Sequence, residues 1–381
     1  MWTRPAYGDG SLADLMPSVL AALGVAGQRD PLGLTGTLAG MDKVIVLLVD
    51  GMGWHNLPED PIRTPTLHAI TAGGLGAARP MTTGFPSTTP TSLVSLGTGA
   101  RPGEHGVLGF TVNVPGTDRI LVHTHWPDDP VPELWQPVEV LFRAAGRAGV
   151  NTAIVNYPEF ASSGLTRVST GVSGYRGASG ADALAAELLA TIARTPGPAV
   201  VYGYHSDLDQ AGHRHGITSM RWWDAAVGVD RLVTALVEGL PYGTALVITA
   251  DHGQLDVPAD RRIDLDTDPR LRAGLRVAAG EPRVRYLHTL PGATADVADA
   301  WRGVLGAAGW VLTRDEAIDE GLFGPVPAAH RDRIGDLVVI CADDWAILAT
   351  EREPAEIARL VAFHGALTEA EMTIPLITIT S

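Results

Sequence analysis

Leu47-Leu48-Val49-Asp50-Gly51-Met52-Gly53 ends an apolar run in an acid flanked by glycine. Residues 44–49 are unbroken valine, isoleucine and leucine with no polar alternation, the pattern of a strand covered on both faces of a parallel sheet. Asp50 then falls at the strand's carboxyl end, the edge where open α/β sheets bind ligands. The same grammar recurs at residues 199–204, followed by His205-Ser206-Asp207-Leu208-Asp209, and at residues 245–250, followed by Asp251-His252-Gly253. These three stretches predict buried strands that carry acids and histidines to one edge.

Working outward, helical spacing of apolar residues over 12–23 ends at Gly24, and residues 64–72, 138–148, 181–194 and 224–240 read as further helices. Residues 82–91 form a hydroxyl-rich turn, and Pro90 suits the first position of a helix, which places Thr89 at the cap. Strands and helices alternate throughout, so the expected fold is α/β, a mostly parallel sheet with helices on both faces. We expect residues 1–381 to form a single catalytic domain, with a small inserted subdomain at 256–333, where the pattern loosens. Residues 335–341 and 345–349 read as strands again, and 354–363 as a helix running into His364.

The formal charge is −15, and no run of like sign localises it. A polymeric nucleic acid partner would need a basic stripe, which is missing. The lone Cys341 excludes an internal disulfide and a cysteine-rich metal site, and its apolar setting makes it a core residue. The first residues lack an apolar signal segment, and no apolar run reaches the roughly 18 residues of a membrane span, so a cytoplasmic protein without a membrane partner is expected. Lys43 is the only lysine, which removes Schiff-base chemistry and a Walker A loop. No Gly-x-Ser-x-Gly elbow occurs, which disfavours a hydrolase triad.

Asp50, Asp209, His213, Asp251, His252 and His364 have the oxygen and nitrogen donors that suit zinc, manganese or a similar divalent ion. Asp209 and His213 lie four apart, so one helical turn points both at one centre. Asp251 and His252 are adjacent and must sit where the strand has become loop, which Gly253 permits. Each alone also fits a structural role: Asp50 a helix cap, His364 a core histidine. Thr89 has two readings as well. It is an N-cap, or it is a nucleophile placed where free N–H groups and the helix dipole attract a phosphoryl group.

Taken in order, Val46 to Gly51, the Thr-rich turn ending in Thr98-Gly99, Glu104-His105-Gly106-Val107, the run Asp209 to Gly216, Val247 to Gly253, and His364-Gly365 resemble the motifs of the alkaline phosphatase superfamily. The branch they resemble most is the type I phosphodiesterase/nucleotide pyrophosphatase family, over about residues 43 to 377. The resemblance implies two divalent ions, most readily zinc with manganese as the alternative. One would be held by Asp209, His213 and His364, the other by Asp50, Asp251, His252 and the nucleophile. The family's nucleophilic threonine precedes the glycine of the Thr-Gly pair by ten residues, which counts back from Gly99 to Thr89, with Thr88 the alternative. The implied activity is hydrolysis of phosphodiester or nucleotide pyrophosphate bonds in a small-molecule phosphate ester, through a phosphothreonine. Where nucleotide-cleaving members carry Thr-Phe-Pro-Asn, this chain has Thr89-Pro90-Thr91-Ser92, which puts Ser92 in the place of a phosphate-binding asparagine. That departure leaves a phosphomonoesterase or phosphonate hydrolase of the same fold open. A phosphomutase is a further rival, and a metal-binding scaffold without catalysis is the rival from another class. The sulfatase signature is missing at the nucleophile.

Overall fold

In the computed structural model, which describes residues 2–381, the run around Leu47 becomes strand β1 (Lys43–Val49) of a seven-stranded sheet. The others are β2 (Ala77–Thr82), β3 (Asn151–Asn156), β4 (Tyr175–Gly177), β5 (Ala199–His205), β6 (Thr244–Thr249) and β7 (Thr373–Thr380). Their spatial order is β2-β7-β6-β1-β5-β3-β4. β1 pairs in parallel with β5 and β6, with Val49 level with His205 and Leu48 level with Thr249. β7 runs antiparallel to both its neighbours. The three acid-tipped strands therefore lie side by side with their carboxyl ends aligned.

The helices that matter for the site are α1 (Leu15–Ala22), α2 (Thr89–Thr98), α3 (Gly164–Ser169), α4 (Ala181–Arg194), α5 (Asp207–His215) and α6 (Met220–Gly239). Leu184, Ala185, Leu188 and Ile192 give α4 a buried stripe at helical spacing. Successive residues of β5 face opposite ways. Leu188 of α4 lies over Gly203, while Tyr202 turns toward Phe142, its ring centroid 6.1 Å away. Helices thus cover both faces of the sheet. Among the described residues no helix is long and apolar enough to cross a membrane.

A second sheet is wholly antiparallel, in the order Leu275–Glu281, Val284–Thr289, Leu337–Cys341, Gly309–Thr313. The helix Thr294–Leu305 packs its fully buried Trp301 beside it. Leu337–Cys341 belongs to this sheet and not to the main one, and Ala346–Leu348 pairs with Arg262–Asp264. The second sheet therefore extends past residue 333, where the inserted subdomain was expected to end, because long-range pairing, which no local pattern reveals, recruits the later strand.

Residues 354–363 do not form the expected helix. Only a single turn, Ile357–Arg359, is helical, and Ala362–Phe363 is a short strand paired with Leu255–Asp256. Two tertiary bonds extend this backbone: Val361 N–H donates to the His213 carbonyl at 2.7 Å, and Val257 N–H donates to the Val361 carbonyl at 2.9 Å.

Candidate functional site

Asp50 follows β1 directly, and the chain turns at Gly51 with φ 72°. A side chain there would meet the Asp209 backbone at 3.1 Å, so glycine lets the β1 loop approach α5. Asp209 and His213 lie one turn apart on α5. Asp251 and His252 sit in the loop after β6, and His364 follows the short strand Ala362–Phe363. These six side chains form two groups, Asp209 with His213 and His364, and Asp50 with Asp251 and His252. Within each group the donor atoms lie within 4.8 Å of one another.

The rings are aimed by backbone carbonyls. His213 Nδ1 donates to the Ala362 carbonyl at 2.7 Å, His364 Nδ1 to the Ser87 carbonyl at 2.8 Å, and His252 Nδ1 to the Gly253 carbonyl at 3.2 Å. Each bond leaves the Nε2 lone pair facing inward, the arrangement that outer partners impose on metal-binding histidines. His213 Nε2 and His364 Nε2 are 3.2 Å apart, and the His252 and His364 rings stack with centroids 3.5 Å apart.

Two inward lone pairs at this distance repel unless a cation or proton lies between them. The carboxylates pose the same problem. Asp50 Oδ1 and Asp251 Oδ2 are buried without a hydrogen-bond partner, 3.4 and 3.3 Å from His252 Nε2. Burial, and then the charges of Asp251 and Asp209, hold the Asp50 carboxyl well above its ordinary range. Burial likewise raises the Asp209 carboxyl. The His364 imidazole is pushed well below its usual value by burial and then by the His252 and His213 rings. Oxygen and nitrogen donors without sulfur, orphaned in a buried place, fit hard or borderline divalent cations.

Thr89 Oγ1 lies 3.1 Å from His252 Nε2, at the edge of the second group. The expected cap role does not hold. The residue at the N-cap of α2 is Thr88, whose side chain makes no capping bond, and Pro90 is the second helical residue. With an extended Thr88 (φ −142°, ψ 147°), the helix begins one residue earlier than Pro90 alone suggests.

The sequence profile of the type I phosphodiesterase/nucleotide pyrophosphatase family matches residues 44–367, which include all these residues. The chain belongs to this family. Among solved structures it resembles murine ectonucleotide pyrophosphatase/phosphodiesterase 5, with TM-score 0.69 and 20% identity over 89% of this chain and 88% of that one. An inactive variant of the murine protein in complex with AMP gives TM-score 0.67, with 20% identity over 88% of this chain and 87% of that one. Phosphonoacetate hydrolase from Sinorhizobium meliloti 1021, in complex with phosphonoformate, gives TM-score 0.64 and 20% identity over 88% and 89% of the two chains. At this identity the likeness is one of fold. No curated protein matches significantly in sequence. Membership places the chain among phosphoester and pyrophosphate hydrolases, a family that implies two divalent ions, and the two donor groups described above are candidates to hold them.

Ser92, which the resemblance puts in the place of a phosphate-binding asparagine, does not reach outward with its side chain. It is fully buried and donates to the Asp251 carbonyl at 2.8 Å, with Thr83 Oγ1 2.9 Å away. A serine is too short to pass these partners, so it braces the Asp251 loop instead of facing a phosphate. Sequence reasoning missed Tyr204, whose hydroxyl donates to Asp50 Oδ2, and Gln254, whose amide donates to Asp209 Oδ1. It also missed Glu371. The Glu371 carbonyl accepts from Gly253 N–H at 2.9 Å and its carboxylate accepts from Ala366 N–H at 3.0 Å. Tyr204 could have been found, since it ends the quoted strand beside Asp50, whereas Glu371 gives no local signal. A cavity of about 100 Å³ opens beside Thr89, between α2, α3 and β5, with Leu93, Asn156, Ser169, Tyr202 and Tyr204 in its wall.

Proposed function

We propose that this family member hydrolyses phosphodiesters, using two divalent ions and Thr89 as the nucleophile. The observation that carries the reading is the position of Thr89 Oγ1, 3.1 Å from His252 Nε2 at the start of α2 and beside both donor groups. Asp209, His213 and His364 hold one ion, and Asp50, Asp251, His252 and Thr89 the other. When bound, such ions neutralise phosphoryl charge and lower the pKa of a coordinated oxygen, with zinc the first choice and manganese the second. The first N–H groups of α2 have no helical partners and orient an anionic phosphoryl oxygen. Attack forms the Thr89 Oγ–P bond as the bond to one ester oxygen breaks, and the threonine proton leaves with the departing alcohol. Water then cleaves the phosphothreonine, returning a proton to Thr89 and releasing a monoester. The chain works as one catalytic domain, with the second sheet as an insertion that walls the site.

The neutral cavity wall supports a diester over a monoester dianion or a carboxylate-bearing phosphonate, since among the described residues no Lys or Arg lines it. The test is turnover of aryl phosphate mono- and diesters by zinc- or manganese-loaded protein. Diesters are expected to be favoured. Thr89→Ala is expected to lose about a thousandfold, equivalent to about 4 kcal/mol of transition-state stabilisation, with metal content retained. Thr89→Ser should keep measurable activity and Thr88→Ala most of it. Normal turnover by Thr89→Ala would leave a metal-binding role without threonine catalysis.

A further inference from the structure

The three site carboxylates are steadied by outer hydrogen bonds, and the donors of those bonds differ. Asp251 Oδ1 accepts from the backbone N–H groups of Gly51 and His252, each at 3.1 Å. Asp50 Oδ2 accepts from the Tyr204 hydroxyl. In both residues the second oxygen, Asp251 Oδ2 and Asp50 Oδ1, has no hydrogen-bond partner among the described residues. These two oxygens lie 3.3 and 3.4 Å from His252 Nε2, so three unshared donor atoms converge. In the other group Asp209 Oδ1 accepts from the Gln254 amide.

The terminal torsion of a carboxylate is soft, so its direction depends on what holds it. Asp251 is held by main chain, which no side-chain substitution removes. Asp50 is held by one hydroxyl. Tyr204 is level with Leu48 of β1, two residues before Asp50, so the register of the sheet sets the reach of that hydroxyl. Its ring is 7% exposed and meets Tyr157 edge-on, with centroids 6.4 Å apart. Tyr157 is tied in turn to Asp207 Oδ1 by a bond of 3.0 Å. The phenol is therefore a fixed post and not a mobile one.

We infer that Tyr204 is a positioning residue for one ion only. It turns Asp50 Oδ1 toward the ion held by Asp50, Asp251 and His252, and it leaves the ion of Asp209, His213 and His364 to Gln254. The inference rests on the two-ion reading, and it assigns the affinity of one site to a hydroxyl that does not touch the metal.

The experiment titrates the full chain with zinc in competition with a chromophoric chelator. Asp209→Ala keeps the Asp50 group and so provides a background in which one ion is followed. Adding Tyr204→Phe there should raise the zinc dissociation constant about 10–100-fold, the usual cost of losing an outer partner. Adding Gln254→Leu instead should leave it unchanged. In the otherwise wild-type chain, Tyr204→Phe should weaken one of the two zinc affinities and spare the other. Its turnover of an aryl diester should fall at zinc levels that saturate wild type and return when zinc is raised by the same factor, a rescue that a misshapen site would not show. Unchanged zinc affinity on adding Tyr204→Phe would overturn the inference and leave the two ions standing. Equal weakening by Gln254→Leu would overturn it as well, since the outer bonds would then act on the site as a whole. Wild type that binds no zinc would remove the two-ion reading and this inference together.

Discussion

At the scale of single residues, Asp209 shows how much of the site can be read in advance. It lies four residues before His213, so a helix alone makes the pair converge, and α5 provides that helix. His364 is different. Its Nε2 meets that of His213 across 151 positions in sequence, and its setting reads as a helix in the sequence because Ile357, Leu360 and Val361 imitate an apolar stripe, whereas only Ile357–Arg359 is helical. The residue type was legible and the backbone that presents it was not, since distant hydrogen bonds extend it. Ser92 carries the same lesson in reverse: its position in the motif suggested a phosphate contact, whereas burial turns it to the Asp251 carbonyl. Because Asp209 serves one donor group only, Asp209→Ala should lose about one divalent ion per chain and keep part of the other. Elemental analysis of protein supplied with zinc and manganese checks this, and loss of neither ion would contradict the grouping.

At the scale of elements, the second sheet is tied to the site by one buried ion pair. Arg283, in the turn between Leu275–Glu281 and Val284–Thr289, donates to Glu371 through Nε at 2.9 Å and Nη2 at 2.8 Å, and both side chains are fully buried. Glu371 in turn bonds the backbone next to His252 and near His364. Removing one partner of such a pair strands the other's charge, so Arg283→Met should cost about 3–5 kcal/mol. The double change with Glu371→Met should recover much of that in a denaturant titration. Glu281 ends the first of these strands, and burial pushes its carboxyl up to about 8 from 4.5. An acid whose folded pKa is raised gives full stability below 4.5, loses it as pH rises, and levels off above about 8. Glu281→Gln should therefore melt higher than wild type above about pH 8, with the advantage vanishing below pH 4.5. Melting curves across that interval decide it. None of this was legible, because ion pairs between an insertion and its host leave no periodic trace.

At the scale of the whole molecule, the main sheet was readable because its central strands are buried on both faces and so appear as unbroken apolar runs. The antiparallel second sheet was not, since its order sets Leu337–Cys341 between two strands that both come earlier in sequence, Val284–Thr289 and Gly309–Thr313. The site gathers side chains from α5, from the ends of β1 and β6, and from the loop before β7. A cation held by these groups therefore adds a further tie between segments that backbone pairing and hydrogen bonds, such as Val361 N–H to the His213 carbonyl, already join. Ligands that bind the folded state and not the unfolded chain stabilise it by mass action, about 4.1 kcal/mol at a thousandfold excess over the dissociation constant. Two such ions should thus raise the melting temperature of the whole domain and not of one segment. A chelator should lower it in a single cooperative step, and added zinc or manganese should restore it. In Asp209→Ala the metal-dependent part of the shift should shrink without vanishing, because Asp50, Asp251 and His252 remain. A melting temperature indifferent to chelation and to added metal would show that these orphaned carboxylates and inward-facing imidazoles are settled by protons, and the two-ion reading would fall.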